Sequence, residues 1–136
     1  MNNIYLEKAI KTPLISFNYE KGILLIEGVS VPENTVDFYN PIVFWLRDYV
    51  QNPKPHTVFD LKLEYFNTST SVVLLNIFRT LSELGEDKLT INWHYEEDDI
   101  EMEEAGQDYS NMVSAKFNII PVESFLSVFI PIKNIL

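Results

Sequence analysis

The chain has 136 residues, 46% apolar and 22% charged, which sizes it for one domain burying about two thirds of its unfolded surface and excludes global disorder. It contains no cysteine, so disulfides, thiolate metal sites and cysteine nucleophiles are excluded as well. The net charge of −10 is local: Glu96, Glu97, Asp98, Asp99, Glu101, Glu103, Glu104 and Asp108 follow one another without an intervening base, leaving −2 for everything else. A near-neutral body with one acidic segment argues against nucleic acid, which requires a basic footprint, and fits a basic protein partner or a solvated face.

Met1 to Lys8 has no basic region followed by an apolar core, so no signal peptide is expected and the location is read as cytoplasmic. Ile4 to Thr12 reads as a lead-in. Leu14–Tyr19 and Ile23–Glu27 flank Glu20-Lys21-Gly22 and predict a hairpin, with Gly22 supplying the turn. Tyr39, Ile42, Val43, Leu46, Tyr49 and Val50 then recur at helical spacing. Pro41 is harmless if that helix starts near Asp37 to Asn40, and kinks it if the start is near Glu33. Pro53 and Pro55 end it.

Val58 to Phe66 alternates as a strand and runs into Asn67-Thr68-Ser69-Thr70-Ser71, after which Val73, Leu74, Ile77, Phe78, Leu81 and Leu84 form a second helical stripe. This strand–turn–helix junction is the most informative stretch of the chain. A helix start presents unpartnered N–H groups and a positive dipole end, so a phosphate on one of these hydroxyls would meet ready donors. The plain alternative is that one hydroxyl caps the helix.

Leu89 to Tyr95 predicts another strand. The acidic segment opens a third helix, with Asp98 and Glu101 at capping-box spacing, Met102, Ala105, Tyr109, Met112 and Val113 on its apolar side, and Gly106 weakening its middle. Phe117 to Val122 is a last strand, placed at a sheet edge by Pro121. The elements give an α/β fold of order β-β-α-β-α-β-α-β over residues 1–123. Residues 124–136 are an apolar extension, too short and interrupted to span a membrane. That extension either covers an apolar groove of its own domain or pairs with a second subunit as a homo-oligomer contact.

No motif for a dinucleotide, a phosphate loop or a nucleophile elbow occurs, and His56 and His94 match no metal spacing. No catalytic, cofactor or metal residue is therefore assigned. The alternative is a metal-dependent enzyme or metal-binding protein using segment 96–108, with Tyr95 or His94 nearby.

Thr12-Pro13 with Ser16-Phe17, Gly28 with Val31-Pro32-Glu33-Asn34, Phe38-Tyr39, Leu63-Glu64-Tyr65-Phe66-Asn67-Thr68-Ser69, Asn92-Trp93-His94-Tyr95-Glu96-Glu97-Asp98-Asp99, and Glu104-Ala105-Gly106 occur in that order. Together these stretches resemble the SiaC-like family of bacterial regulatory phosphoproteins. The resemblance implies a STAS-like fold, akin to anti-sigma-factor antagonists, with a mixed sheet and helices packed on it. It also implies a non-enzymatic partner-switching protein that a cognate kinase phosphorylates and a PP2C-type phosphatase resets. In some systems the unphosphorylated form binds and activates a diguanylate cyclase, which implies cyclic di-GMP and biofilm signalling. The family phosphosite falls on Thr68, with Ser69 the second-ranked acceptor, and the partner-binding surface is expected at Tyr65, Phe66, Asn67, Thr68, Ser69, Glu96, Glu97, Asp98 and Asp99. The tail after Glu123 has no counterpart in that resemblance.

Overall fold

The structure is a computed structural model and describes residues 1–125. Six strands form one sheet in chain order: β1 (Ile4–Leu6), β2 (Leu14–Asn18), β3 (Ile23–Ser30), β4 (Thr57–Phe66), β5 (Leu89–Glu96) and β6 (Lys116–Val122). The first three pair antiparallel and the rest parallel, so the sheet is mixed. Each parallel connection carries one helix: α1 (Thr35–Tyr49), α2 (Thr68–Ser82) and α3 (Ile100–Ser110). Right-handed crossovers between neighbouring strands taken in one direction place all three helices on the same face.

Alternation along the strands follows from that layering. Ile15, Phe17, Leu24, Ile26, Phe59, Leu61, Ile91 and Trp93 are buried beneath the helices, which contribute Ile42, Leu46, Leu74, Phe78 and Leu81 to the same core. The other face is polar at its centre, where Asp60, Asn92 and Asn118 stand in one register row. The Asn92 amide donates to Asp60 at 2.8 Å and the Asn118 amide to Asn92 at 2.9 Å.

Two expectations need correction, and the alternative left open at α1 is resolved toward the earlier start. The lead-in contains a strand, so the order opens with three strands. Its three residues carry no pattern of their own; they are held by pairing with β2, by Trp45 Nε1 donating to the Asn2 carbonyl at 2.7 Å, and by the Asn3 side chain accepting from Tyr19 N at 2.8 Å. Helix α1 starts at Thr35, capped by Asn34, which leaves Pro41 in the second turn on the exposed side. Helix α3 is capped by Asp99 rather than Asp98, the Asp99 carboxylate accepting from Met102 N at 3.1 Å. The edge position of β6 matches the expectation drawn from Pro121. The expectations for residues 126–136 lie outside the described residues.

Two glycines shape the region above the parallel strands. Gly28, at φ +120°, sits where the β3–β4 register slips, so that Gly28 faces Leu63 but Val29 faces Tyr65. The extra residue, Glu64, reverses the facing of the two positions after it. Simple alternation from Phe59, Leu61 and Leu63 would turn Tyr65 into the core; instead Tyr65 is 58% exposed and Phe66 turns inward, edge-on to Trp93 at 6.0 Å. Gly106 lies directly over Trp93, where a Cβ would come within 2.5 Å of the indole Cδ1.

Candidate functional site

The carboxyl ends of β3, β4 and β5 and the starts of α1, α2 and α3 meet at one end of the molecule, the position where open parallel sheets expose helix N-termini. Five consecutive residues there are polar, and the structure gives each a separate task. Asn67 caps α2: its side-chain oxygen accepts from Thr70 N at 3.0 Å and from the Ser69 hydroxyl at 3.1 Å. The cap is therefore the amide and not a hydroxyl, which corrects that expectation; both residue types serve as caps, so composition alone could not rank them.

Ser69 Oγ also lies 2.6 Å from Thr35 Oγ1, joining the starts of α1 and α2. Thr70 is fully buried, its hydroxyl donating to the Ser30 carbonyl at 3.1 Å and standing 2.9 Å from Ser30 Oγ. Ser30 Oγ in turn pairs with the Tyr39 hydroxyl at 2.6 Å, and burial pushes that phenol up to about 12. Ser71 Oγ donates to the Thr68 carbonyl at 2.6 Å. Thr68 itself, the first residue of α2, is exposed, and among the described residues its hydroxyl has no hydrogen-bond partner.

Helix α2 also differs in charge. The first turns of α1 and α3 carry Asp37 and Glu101 with Glu103, whereas that of α2 carries no acid. The positive end of its dipole is uncompensated by any side chain of its own first turn.

At the carboxyl end of β4, a cavity of about 210 Å³ is lined by Tyr65, Phe66, Asp99, Glu101, Met102 and Ala105. A second hollow of about 340 Å³ between α2 and α3 shares Phe66 and Ala105 with it and is lined also by Val72, Leu75 and Met112. The expected partner residues Tyr65, Phe66 and Asp99 thus meet at one cavity, with Asn67, Thr68 and Ser69 next to it in the chain. Glu96 closes β5 half-buried, and Glu97 and Asp98 are exposed in the following turn, outside the cavity lining. Sequence reasoning missed the contributions of Thr35, Val72, Met102 and Ala105 to this end, because they depend on how the helices dock.

The acids do not converge. Among the described residues no three carboxylates or imidazoles are placed to hold a metal ion. Asp99 is engaged as a cap and Glu103 accepts from the Tyr95 hydroxyl at 3.0 Å, while His94, next to Tyr95 on the alternating strand, has Nδ1 3.2 Å from the Leu61 carbonyl. Among the described residues no helix is long and apolar enough to cross a membrane.

A family model described as SiaC family regulatory phosphoprotein matches residues 6–122. An uncharacterized Pseudomonas aeruginosa protein is 25% identical over 121 residues, covering 88% of this chain and 96% of its own. The fold matches that of apo-SiaC from Pseudomonas aeruginosa with a TM-score of 0.81 at 24% identity, over 88% of this chain and 99% of that one. It also matches the SiaC chain solved in complex with the diguanylate cyclase SiaD, which SiaC activates, with a TM-score of 0.82 at 24% identity and the same coverage.

Proposed function

Because this chain belongs to the SiaC family of regulatory phosphoproteins, we propose that it is a phosphorylation-controlled binding module without catalytic activity of its own, with Thr68 as the phosphoacceptor. The observation that carries the reading is the division of labour at the start of α2. Ser69, Thr70 and Ser71 each engage their hydroxyls in hydrogen bonds, and Thr70 is buried; the Thr68 hydroxyl is exposed and uncommitted. A kinase must reach an oxygen free to attack, and only Thr68 offers one without first breaking a bond that orders the helix start. Ser69 would have to leave both Thr35 and Asn67.

A phosphate at Thr68 brings about −1.5 to −2 charges to a helix start that lacks an acid, so it is held by the dipole and the fold survives it. Its effect falls on the neighbouring surface of Tyr65, Phe66 and Asp99, and on a partner's approach to Glu96, Glu97 and Asp98 beyond. In this reading a cognate kinase adds the phosphate, a PP2C-type phosphatase removes it, and the unphosphorylated form binds an effector. A diguanylate cyclase is the proposed effector, supported by the SiaC–SiaD complex of Pseudomonas aeruginosa, with cyclic di-GMP and biofilm formation as output. Residues 1–123 form the regulatory unit, STAS-like in kind and cytoplasmic.

Peptide mapping of protein from its native cell should locate phosphate on Thr68, and Thr68→Ala should carry none. Effector capture should be retained by wild type and Thr68→Ala and lost by the Thr68-phosphorylated protein. Equal capture by all three would sink the switch.

A further inference from the structure

The sheet has two edges, β1 with three residues and β6 with seven, so β6 is the one long enough to pair further. Its register with β5 holds from Thr90↔Lys116 to Glu96↔Val122 without a slip, and Glu97 N donates to the Val122 carbonyl at 2.9 Å. In a parallel ladder alternate residues turn both N–H and C=O toward the same neighbour, so Lys116, Asn118, Ile120 and Val122 are committed to β5. Phe117, Ile119 and Pro121 point theirs outward, and among the described residues these groups have no hydrogen-bond partner. Pro121 brings no N–H to that edge, which leaves the donors of Phe117 and Ile119 as its pairing unit.

The side chains of β6 narrow what fits there. Phe117 and Ile119 stand on the helix side, packed against the core, and on the open face Asn118 ends the row that begins at Asp60 and Asn92. Asn118 donates one amide N–H to Asn92 at 2.9 Å; its second N–H and its carbonyl oxygen are unspent among the described residues. An amide with one free donor and one free acceptor is complementary to a copy of itself. Antiparallel pairing of β6 with β6 of a second copy, about a two-fold axis through Asn118, uses all of these groups. Phe117 of one copy then faces Ile119 of the other and exchanges both backbone bonds with it, with no donor demanded of Pro121. The same pairing sets an aromatic ring beside a β-branched side chain, a favourable cross-strand neighbour. An axis through Ile119 would instead place Phe117 opposite Pro121, leaving the Phe117 carbonyl unpaired, and Asn118 opposite Ile120.

We propose that the chain forms a two-fold dimer by antiparallel pairing of β6 at Asn118, joining two sheets into one. Edge strands are commonly kept apart by charge; the one charge in β6 is Lys116, and in this register it faces Ile120 of the other copy rather than a second lysine. The pairing turns the carboxyl ends of the parallel strands to opposite sides, so the dimer carries two Thr68 surfaces facing apart. That bivalency rests on the switch reading above; the pairing itself does not. With −10 on each chain, association strengthens as salt screens the repulsion.

The absence of cysteine makes single-cysteine variants of the full-length protein clean probes. Residues opposite one another at a non-hydrogen-bonded antiparallel position have Cα atoms about 4.5 Å apart, within the span of a disulfide. Lys116 and its copy are out of step by about 14 Å, and so are Ile120 and its copy. Under mild oxidation Asn118→Cys should give a disulfide-linked dimer about tenfold or more faster than Lys116→Cys or Ile120→Cys alone, because pairing raises the local concentration. A mixture of Lys116→Cys and Ile120→Cys proteins should join to each other faster than either joins to itself. Equal rates at the three positions would overturn the proposal. Because Asn118→Cys removes the amide, the unmodified protein supplies a second readout: sedimentation equilibrium should show monomer passing to dimer as concentration and salt rise. A monomeric mass up to about 1 mM, the weak end of association, would overturn it as well. Neither phosphate nor effector enters these experiments, so their failure leaves the Thr68 switch standing, and failure of the switch leaves the dimer standing.

Discussion

Thr68 and Thr70 share a helical turn, yet one hydroxyl faces solvent and the other is sealed beneath α1 and β3. The same substitution should therefore give opposite results at the two sites. Thr70→Val keeps the volume but leaves the Ser30 carbonyl and hydroxyl short of a buried partner, at a cost of about 1–3 kcal/mol. Thr68→Val removes an exposed, unbonded hydroxyl and should stay within about 0.5 kcal/mol of wild type. Denaturant unfolding of both variants checks the pair; a Thr68→Val protein as damaged as Thr70→Val would mean the hydroxyl is structural. The same reasoning separates Ser69 from Thr68 as acceptor. Ser69→Ala should keep its phosphate while loosening the contact between the starts of α1 and α2; intact mass and peptide mapping would register the first effect and denaturant unfolding the second.

At the level of elements, α3 is held close to the sheet because residue 106 has no side chain. Gly106→Ala would gain about 1 kcal/mol of helix propensity, but its methyl would enter the indole of Trp93, which is 1% exposed and ringed by Phe66, Phe78 and Tyr109. Overpacking of such a site costs about 1–3 kcal/mol, so a net loss is expected, and an unchanged melting temperature would show that α3 yields. From the sequence, Gly106 read only as a weak point in a helix, since close approach is invisible without the partner ring. Other elements were legible in proportion to how local their causes are. The β2–β3 hairpin, the long strand β4 and the stripe of α2 follow from period and turn residues within a few positions of one another. Strand β1 depends on Trp45, some forty positions away, and the outward turn of Tyr65 depends on a register slip between two strands. At the candidate site, the junction of β4 with the start of α2 was legible from the strand alternation and the hydroxyl run that follows it. The wall supplied by Met102 and Ala105 was not, because only the docking of α3 brings it to Phe66.

Across the whole molecule, two buried phenols tie the helices together and make the fold sensitive to alkali. Tyr39 joins α1 to Ser30 of β3, and Tyr109 joins α3 to α2 by donating to the Ser71 carbonyl at 2.8 Å. Burial pushes both up to about 12, against an ordinary 10. A phenol is neutral while it keeps its proton, and the unfolded chain gives up that proton first as pH rises. The stabilising difference is thus fully present below pH 10 and is lost between about 10 and 12, at about 1.4 kcal/mol per pH unit for each tyrosine. Denaturant unfolding across that range should show stability falling as pH rises, together with tyrosinate absorbance that appears late in the native protein and early in the unfolded one. Tyr109→Phe should lower stability at neutral pH by about 1 kcal/mol through the lost hydrogen bond, and should make the alkaline slope shallower because one of the titrating phenols is gone. A slope unchanged by Tyr109→Phe would mean that the alkaline loss arises elsewhere than in the phenol joining α3 to α2.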